Sequence, residues 1–162
     1  MASLALKGFR GIVKVPMRWG DMDAFQHLNN VVFYRYAEQA RITAFEEIAS
    51  NLPWGDEFLD PVKKGSGPIV SRTACQFKCP VVYPDTLTIG TRVMDLKKDR
   101  FLFAHRMVNL KGVVCAEAEG EVVWFNYKEK RKMDMDQDLY DALAQWHQES
   151  LEAVKVERLE RA

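Results

Sequence analysis

Several signals are scarce in this sequence, and each scarcity excludes something. Only three cysteines occur, Cys75, Cys79 and Cys115. The number is odd and no pair has CxxC spacing, so the sequence supports neither a disulfide framework nor a thiolate metal site. They read as small apolar side chains in a reducing compartment, with Cys75 and Cys79 facing the same way in a strand-like run. Charge of one sign is equally scarce. Lys plus Arg and Asp plus Glu both total 23, which argues against a nucleic-acid-coating protein while leaving room for a local basic patch. No apolar run approaches the roughly 20 residues that span a bilayer. The opening stretch Met1 to Gly8 is too short in apolar residues for a secretory leader. A cytoplasmic protein follows, with no membrane partner. Internal repeats and low-complexity linkers are absent as well, so residues 1–162 are expected to form one domain.

What is present begins with alternation. Val13, Val15, Met17 and Trp19 alternate with Lys14, Pro16 and Arg18, which predicts a strand over about 12–19. Pro16 cannot donate to a ladder and places that strand at an edge or a bulge. A helix follows from Asn29 or Asn30, both good caps, to about Ser50. Ala37, Ala40 and Ala44 fall on one face, extended by Phe33 and Ile48. Such a stripe lets a helix approach its partner closely, and about 20 residues span roughly 30 Å, so this should be a central helix. Turn signals fill 51–67, a loop long enough to be functional. Four strands are then expected, over 69–79, 86–96, 101–110 and 113–127. In the last, Val114, Ala116, Ala118, Gly120, Val122 and Trp124 form a small apolar face, and Glu117, Glu119 and Glu121 an acidic one. The small strand face complements the alanine face of the helix. An α+β fold results, a long central helix against an antiparallel sheet of about five strands. A C-terminal helix is expected over about 136–160, with Leu139, Leu143, Trp146 and Leu151 as its partial apolar stripe.

Between the first strand and the central helix lies Arg18-Trp19-Gly20-Asp21-Met22-Asp23-Ala24-Phe25-Gln26-His27-Leu28-Asn29-Asn30. Two carboxylates, an imidazole and two carboxamides are held just before a helix N-terminus. Free N–H groups and the positive dipole end there suit an anion or a polarised carbonyl. A carbonyl that is already activated needs only a carboxylate near its carbon and donors near its oxygen, without a metal or other cofactor. Asp21 and Asp23 are the candidate carboxylates. His27, Asn29, Asn30 and the amide of Val31 are candidates for the oxyanion and orienting roles.

Arg18 to Asp23, then His27-Leu28-Asn29-Asn30, Tyr34 and the Glu38–Arg41 pair, together with Val81 to Leu87 and Ala116 to Gly120, resemble the hotdog fold. More narrowly, the set resembles the 4-hydroxybenzoyl-CoA thioesterase-like acyl-CoA thioesterases, over roughly residues 10–130. The resemblance implies hydrolysis of an acyl-CoA. The second Asp of the pair, matching Asp23, would act as nucleophile or as base on a water. A backbone N–H near the helix start would hold the oxyanion. The site would lie at the interface of a homodimer or homotetramer.

Asp21 reads as turn structure, and Glu38 as a helix-face ion pair with Arg41, although some hotdog enzymes place the catalytic carboxylate on the helix. His105 and His147 read as structural. Trp19, Phe25, Tyr34 and Trp54 are candidates for lining an acyl or aryl pocket. Lys63, Lys64, Lys97, Lys98 and Arg100 are candidates for the phosphates of coenzyme A. Two rivals stay open: an acyl-thioester hydratase or dehydratase, for which His27 with Glu38 is the available pair, and a non-catalytic acyl-thioester or acyl-carrier binding module.

Overall fold

The computed structural model describes residues 2–161; the two terminal residues of the expected domain, Met1 and Ala162, lie outside it. A short helix α1 (Ala2–Ala5) leads into β1 (Arg10–Pro16), and a 3-10 turn at Trp19–Asp21 leads to α2 (Asn30–Ala49). After a 3-10 turn at Gly55–Glu57 and the short helix α3 (Pro61–Lys64) come β2 (Ser66–Phe77), β3 (Thr86–Met94), β4 (Arg100–Val108) and β5 (Val114–Asn126). A two-residue strand β6 (Arg131–Lys132) and the long helix α4 (Gln137–Arg161) complete the chain. The sheet is antiparallel in the order β1-β3-β4-β5-β2, with β6 beside β5.

The alanine stripe sets the architecture. Ala37, Ala40 and Ala44 are buried with Phe33 and Ile48, and Ala37 and Ala40 share a core cluster with Ala116 and Ala118 of β5. Methyl groups on both surfaces bring the α2 backbone close to the sheet. Burying a larger side chain at either surface would force the two apart. The far half of α2 packs Phe45 against Phe58, Phe101 and Phe103, with ring centroids 5.3, 6.4 and 5.3 Å away. Helix α4 closes this cluster with Leu139, Leu143 and Trp146.

Several boundaries differ from expectation. The first strand runs 10–16, ending earlier because the chain turns into the 3-10 segment after Met17, whose N–H still bonds to Asp85 O. It is an edge strand, the first of the two positions that Pro16 allowed. The expected loop 51–67 is largely folded, and its last two residues, Ser66 and Gly67, belong to β2. Leu151 is exposed, and Ser150 is buried in its place with its hydroxyl donating to Trp146 O. The core also extends upstream of residue 10: Leu6 and Phe9 pack on Val108. Arg92 and Arg106 stack on the Phe9 ring at 4.4 and 4.8 Å, a cation–π arrangement.

All three cysteines are free thiols. The Cys79 thiol donates to Cys115 Sγ at 2.9 Å. Burial pushes the Cys75 thiol up to about 11, and burial and then Cys79 push Cys115 up to about 12.

His105 is structural. Its Nδ1 lies 2.9 Å from Thr91 Oγ1 in the interior, and Nε2 has no partner among the described residues. Burial, and then the nearby Arg41 charge, push its pKa down to about 3. The folded protein therefore holds a neutral imidazole, whereas the unfolded chain takes up a proton near pH 6.5. Stability from this site is full above about pH 6.5 and is lost as the pH falls from there toward 3, at about 1.4 kcal/mol per pH unit. Denaturant titrations at a series of pH values should show that slope, and His105→Leu should flatten it.

Candidate active site

The link between β1 and α2 folds into a tight, heavily bonded loop. Asp21 anchors its first half. Its Oδ2 accepts the Arg18 N–H at 2.8 Å and the Tyr36 hydroxyl at 2.7 Å, while its carbonyl accepts the Asn29 N–H at 3.0 Å. Tyr36 is buried on α2. Burial first, and then the Asp21 carboxylate it donates to, hold its phenol well above the ordinary range. Asp21 thus serves structure, as read from the sequence. In sequence Tyr36 is one of several aromatics clustered around this link and reads mostly as core; its hydroxyl bond to Asp21 has no sequence signal.

The second half is a small hairpin. Met22 and Leu28 form a bridge, and the Asp23 N–H donates to His27 O at 3.0 Å. Gln26 takes a φ of +62° at the tip, and its N–H returns to Asp23 O at 3.0 Å. The Leu28 N–H donates to Val81 O at 2.8 Å. This ties the hairpin to the turn before β3, where Asp85 Oδ1 accepts from Thr86 and Leu110.

Asp23 therefore sits at the base of a braced loop. Its Oδ1 accepts the Phe25 N–H at 2.9 Å, and no partner for Oδ2 occurs among the described residues. One oxygen fixes the carboxylate; the other is available for chemistry. Around it Trp19 and Phe25 are 73% and 82% exposed, a large apolar rim for a single chain. Tyr34 lies beside Phe77 of β2, centroids 6.5 Å apart. His27 and Asn30 are exposed at the same loop.

Helix α2 starts as capping chemistry dictates. Asn29 is the N-cap, and its Oδ1 accepts the Val31 N–H at 3.0 Å. The Val32 N–H bonds to Asn29 O. The amides of Asn29 and Val31 are thus committed, which corrects the expectation that both were free. Among the described residues the Asn30 N–H has no acceptor, so it is the first-turn donor left uncommitted at the start of α2.

Two concavities flank this turn. One, of about 690 Å³, is lined by Met17, Arg18, Asp21, Arg35 and Tyr36 among others. The other, of about 260 Å³, lies between α2 and β2. Glu38 lies between Arg35 at 3.6 Å and Arg41 at 3.7 Å, an ion-pair role that matches the reading of Glu38 as structural.

Other candidates are placed elsewhere. Trp54 stacks on Phe58, centroids 5.8 Å apart, and packs at a tilt against Trp124 at 6.5 Å, near the C-terminal end of α2. A helix of 20 residues is about 30 Å long, so Trp54 does not join Asp23 of its own chain. Lys64 is spent on Asp136 at 2.7 Å and on the Trp54 ring at 3.2 Å. Lys63 pairs with Asp60 at 3.8 Å. Arg100 is held by both oxygens of Asp99, beside the exposed Lys97 and Lys98. All five cations lie at the sheet end where β2 begins and β3 ends, opposite the Pro16–Thr86 end that carries Asp23. Among the described residues no group of three or more His, Cys, Asp or Glu is arranged to hold a metal ion, and no helix is long and apolar enough to cross a membrane.

A long helix cradled by an antiparallel sheet in this strand order is the hotdog fold. The chain belongs to the thioesterase-like superfamily, whose model matches residues 17–143. It is 26% identical to the chloroplastic acyl-acyl carrier protein thioesterase ATL3 of Arabidopsis thaliana, over 79% of this chain and 67% of that protein. Among solved structures it matches the PA2801 protein of Pseudomonas aeruginosa, with a TM-score of 0.69 and 26% identity over 82% of this chain and 96% of that one. It also matches a DHNA-CoA thioesterase of Staphylococcus aureus, with a TM-score of 0.72 and 17% identity over 90% and 93% of the two chains.

Proposed function

We propose that the protein is an acyl-CoA thioesterase, hydrolysing an acyl or aryl thioester to the free acid and coenzyme A. The observation that carries this reading is Asp23, with one oxygen fixed and one available, in the braced loop that leads into the uncommitted Asn30 N–H. The N–H polarises the thioester carbonyl and takes the developing oxyanion. The carboxylate then acts in one of two ways. It attacks the carbonyl carbon to form a mixed anhydride, expelling the thiolate, and water cleaves the anhydride. Alternatively it takes a proton from a water that attacks directly. In both, the C–S bond breaks, the thiolate gains a proton, and the acid keeps one oxygen from water. Neither route calls for a metal or another cofactor. His27 and Asn30 are suited to orienting the water or the thioester, and Trp19, Phe25 and Tyr34 to bordering the acyl group.

The unit is a cytoplasmic homodimer or a tetramer built from it, each chain acting as one domain. Strand β2 is an edge of 12 residues, about 40 Å long, with Arg72, Thr73, Gln76 and Phe77 exposed. An unpaired edge of this length favours pairing with a second copy. Antiparallel pairing of two β2 strands sets the basic end of one chain, with Lys63 and the Lys97–Arg100 turn, toward the Asp23 end of the other. That offers cations to the coenzyme A phosphates without their lying near Asp23 of the same chain.

The test is release of free thiol from a panel of acyl-CoA substrates, with enoyl absorbance followed in parallel. Thiol release is expected. Absorbance change without thiol would instead make the protein a hydratase, and binding without turnover a carrier-binding module.

A further inference from the structure

Arg41 is an expensive residue for the fold to hold. Its side chain is only 15% exposed, yet its one ion pair is to the half-exposed Glu38 at 3.7 Å, and it makes no hydrogen bond among the described residues. A guanidinium has five N–H donors, and burying a charge without hydrogen bonds is costly. Desolvation accordingly lowers the Arg41 pKa, opposed by Glu38.

Its position gives that cost a use. Val31, Tyr34, Glu38 and Arg41 recur at three- and four-residue spacing, so they share one face of α2. They line the 260 Å³ cavity whose opposite wall is Val70 and Thr73 of β2. The cavity begins at Val31, next to the Asn30 N–H, and ends at Arg41. Eleven residues of helix rise separate Asn30 from Arg41, about 16 Å, and arginine leans back toward the N-terminus by about a turn. The near half of the cavity is apolar and the far half charged. Two guanidiniums, Arg35 and Arg41, face one carboxylate, Glu38, leaving one positive charge uncompensated.

We propose that Arg41 determines acyl specificity by receiving a terminal carboxylate of the acyl group, so that the preferred substrates are thioesters of medium-length dicarboxylic acids. The inference rests on the thioesterase reading. With the carbonyl at Asn30, the methylenes lie along Val31 and Tyr34 and the distal carboxylate meets the guanidinium. Bidentate pairing supplies the hydrogen bonds that Arg41 lacks within the chain. The β2 wall of the cavity is itself an unpaired sheet edge, where a second copy would add to it.

The test compares kcat/KM for adipoyl- and suberoyl-CoA with that for hexanoyl- and octanoyl-CoA. Wild type is expected to favour the dicarboxylic thioesters by about tenfold or more. Arg41→Met should reverse that ratio, chiefly through KM, Arg41→Lys should restore part of it, and Glu38→Gln should increase it by removing the competing carboxylate. A purely structural or intersubunit role for Arg41 would lower both substrate types together and leave the ratio unchanged, and that result would overturn the proposal. If no thioester is hydrolysed, the thioesterase reading fails on its own. Calorimetric binding of suberoyl-CoA against octanoyl-CoA then still decides the Arg41 proposal, with equal affinity overturning it.

Discussion

Asp23→Asn is expected to lower kcat/KM for thioester hydrolysis by about 10²–10⁴-fold, the range over which a positioned acid–base or nucleophilic carboxylate contributes. The substitution keeps size and the Oδ1 acceptor, so the Phe25 N–H bond at 2.9 Å and the hairpin from Asp23 to His27 should survive. What it removes is the second carboxylate oxygen as a nucleophile or base. The loss should therefore fall on kcat, with KM for the acyl-CoA near the wild-type value. Steady-state thiol release, with coenzyme A affinity measured separately, checks this. The companion change Asp21→Asn should act differently. Asp21 is bound to the Arg18 N–H and the Tyr36 hydroxyl, so weakening it should cost stability and position the loop less well.

The second large effect is on stability. Phe103 is fully buried, with the rings of Phe101 at 4.9 Å and Phe45 at 5.3 Å. Phe103→Ala should cost about 3–5 kcal/mol, from lost burial plus the cavity left between α2 and the sheet. That is a large part of the 5–15 kcal/mol typical of a domain. Chemical denaturation measures it directly. Phe25→Ala, at a ring 82% exposed, should stay within about 0.5 kcal/mol, so the pair separates core packing from the apolar rim of the site.

Much of this molecule was legible in the sequence, and the unread parts have physical reasons. The alanine and glycine faces were readable because close helix–sheet approach demands small residues in two places at matched spacing. One missing N–H at Pro16 narrowed β1 to an edge or a bulge, and the sheet order makes it an edge. The Asp-x-Asp and Asn-Asn motif located the carboxylates and the cap, because capping is a local interaction encoded within three residues. What escaped was set by tertiary contact. The Tyr36 hydroxyl reaching Asp21, the Val81 carbonyl holding Leu28, and the layer of Leu6 and Phe9 beneath two arginines leave no periodic signature. Commitment of the Val31 amide to Asn29 was implicit in the cap, and following that bond moves the oxyanion donor to Asn30. Trp54 was drawn to the site by its loop and aromatic character, but the chain folds it against Phe58 and Trp124 at the far end of α2. The basic runs looked separate along the sequence, and antiparallel strand order gathers them at one end of the sheet.

Asp23 carries hydrolysis of the thioester, and by either route one oxygen of water ends in the acid, so the most direct test follows that oxygen. Incubated with an acyl-CoA in H₂¹⁸O over many turnovers, the wild-type protein should release coenzyme A thiol and carboxylic acid in equal amounts. The acid should carry one ¹⁸O by mass spectrometry, at a rate that collapses in Asp23→Asn. Equal thiol and labelled acid from the Asp23→Asn protein at the wild-type rate, or no labelled acid from wild type, would contradict it.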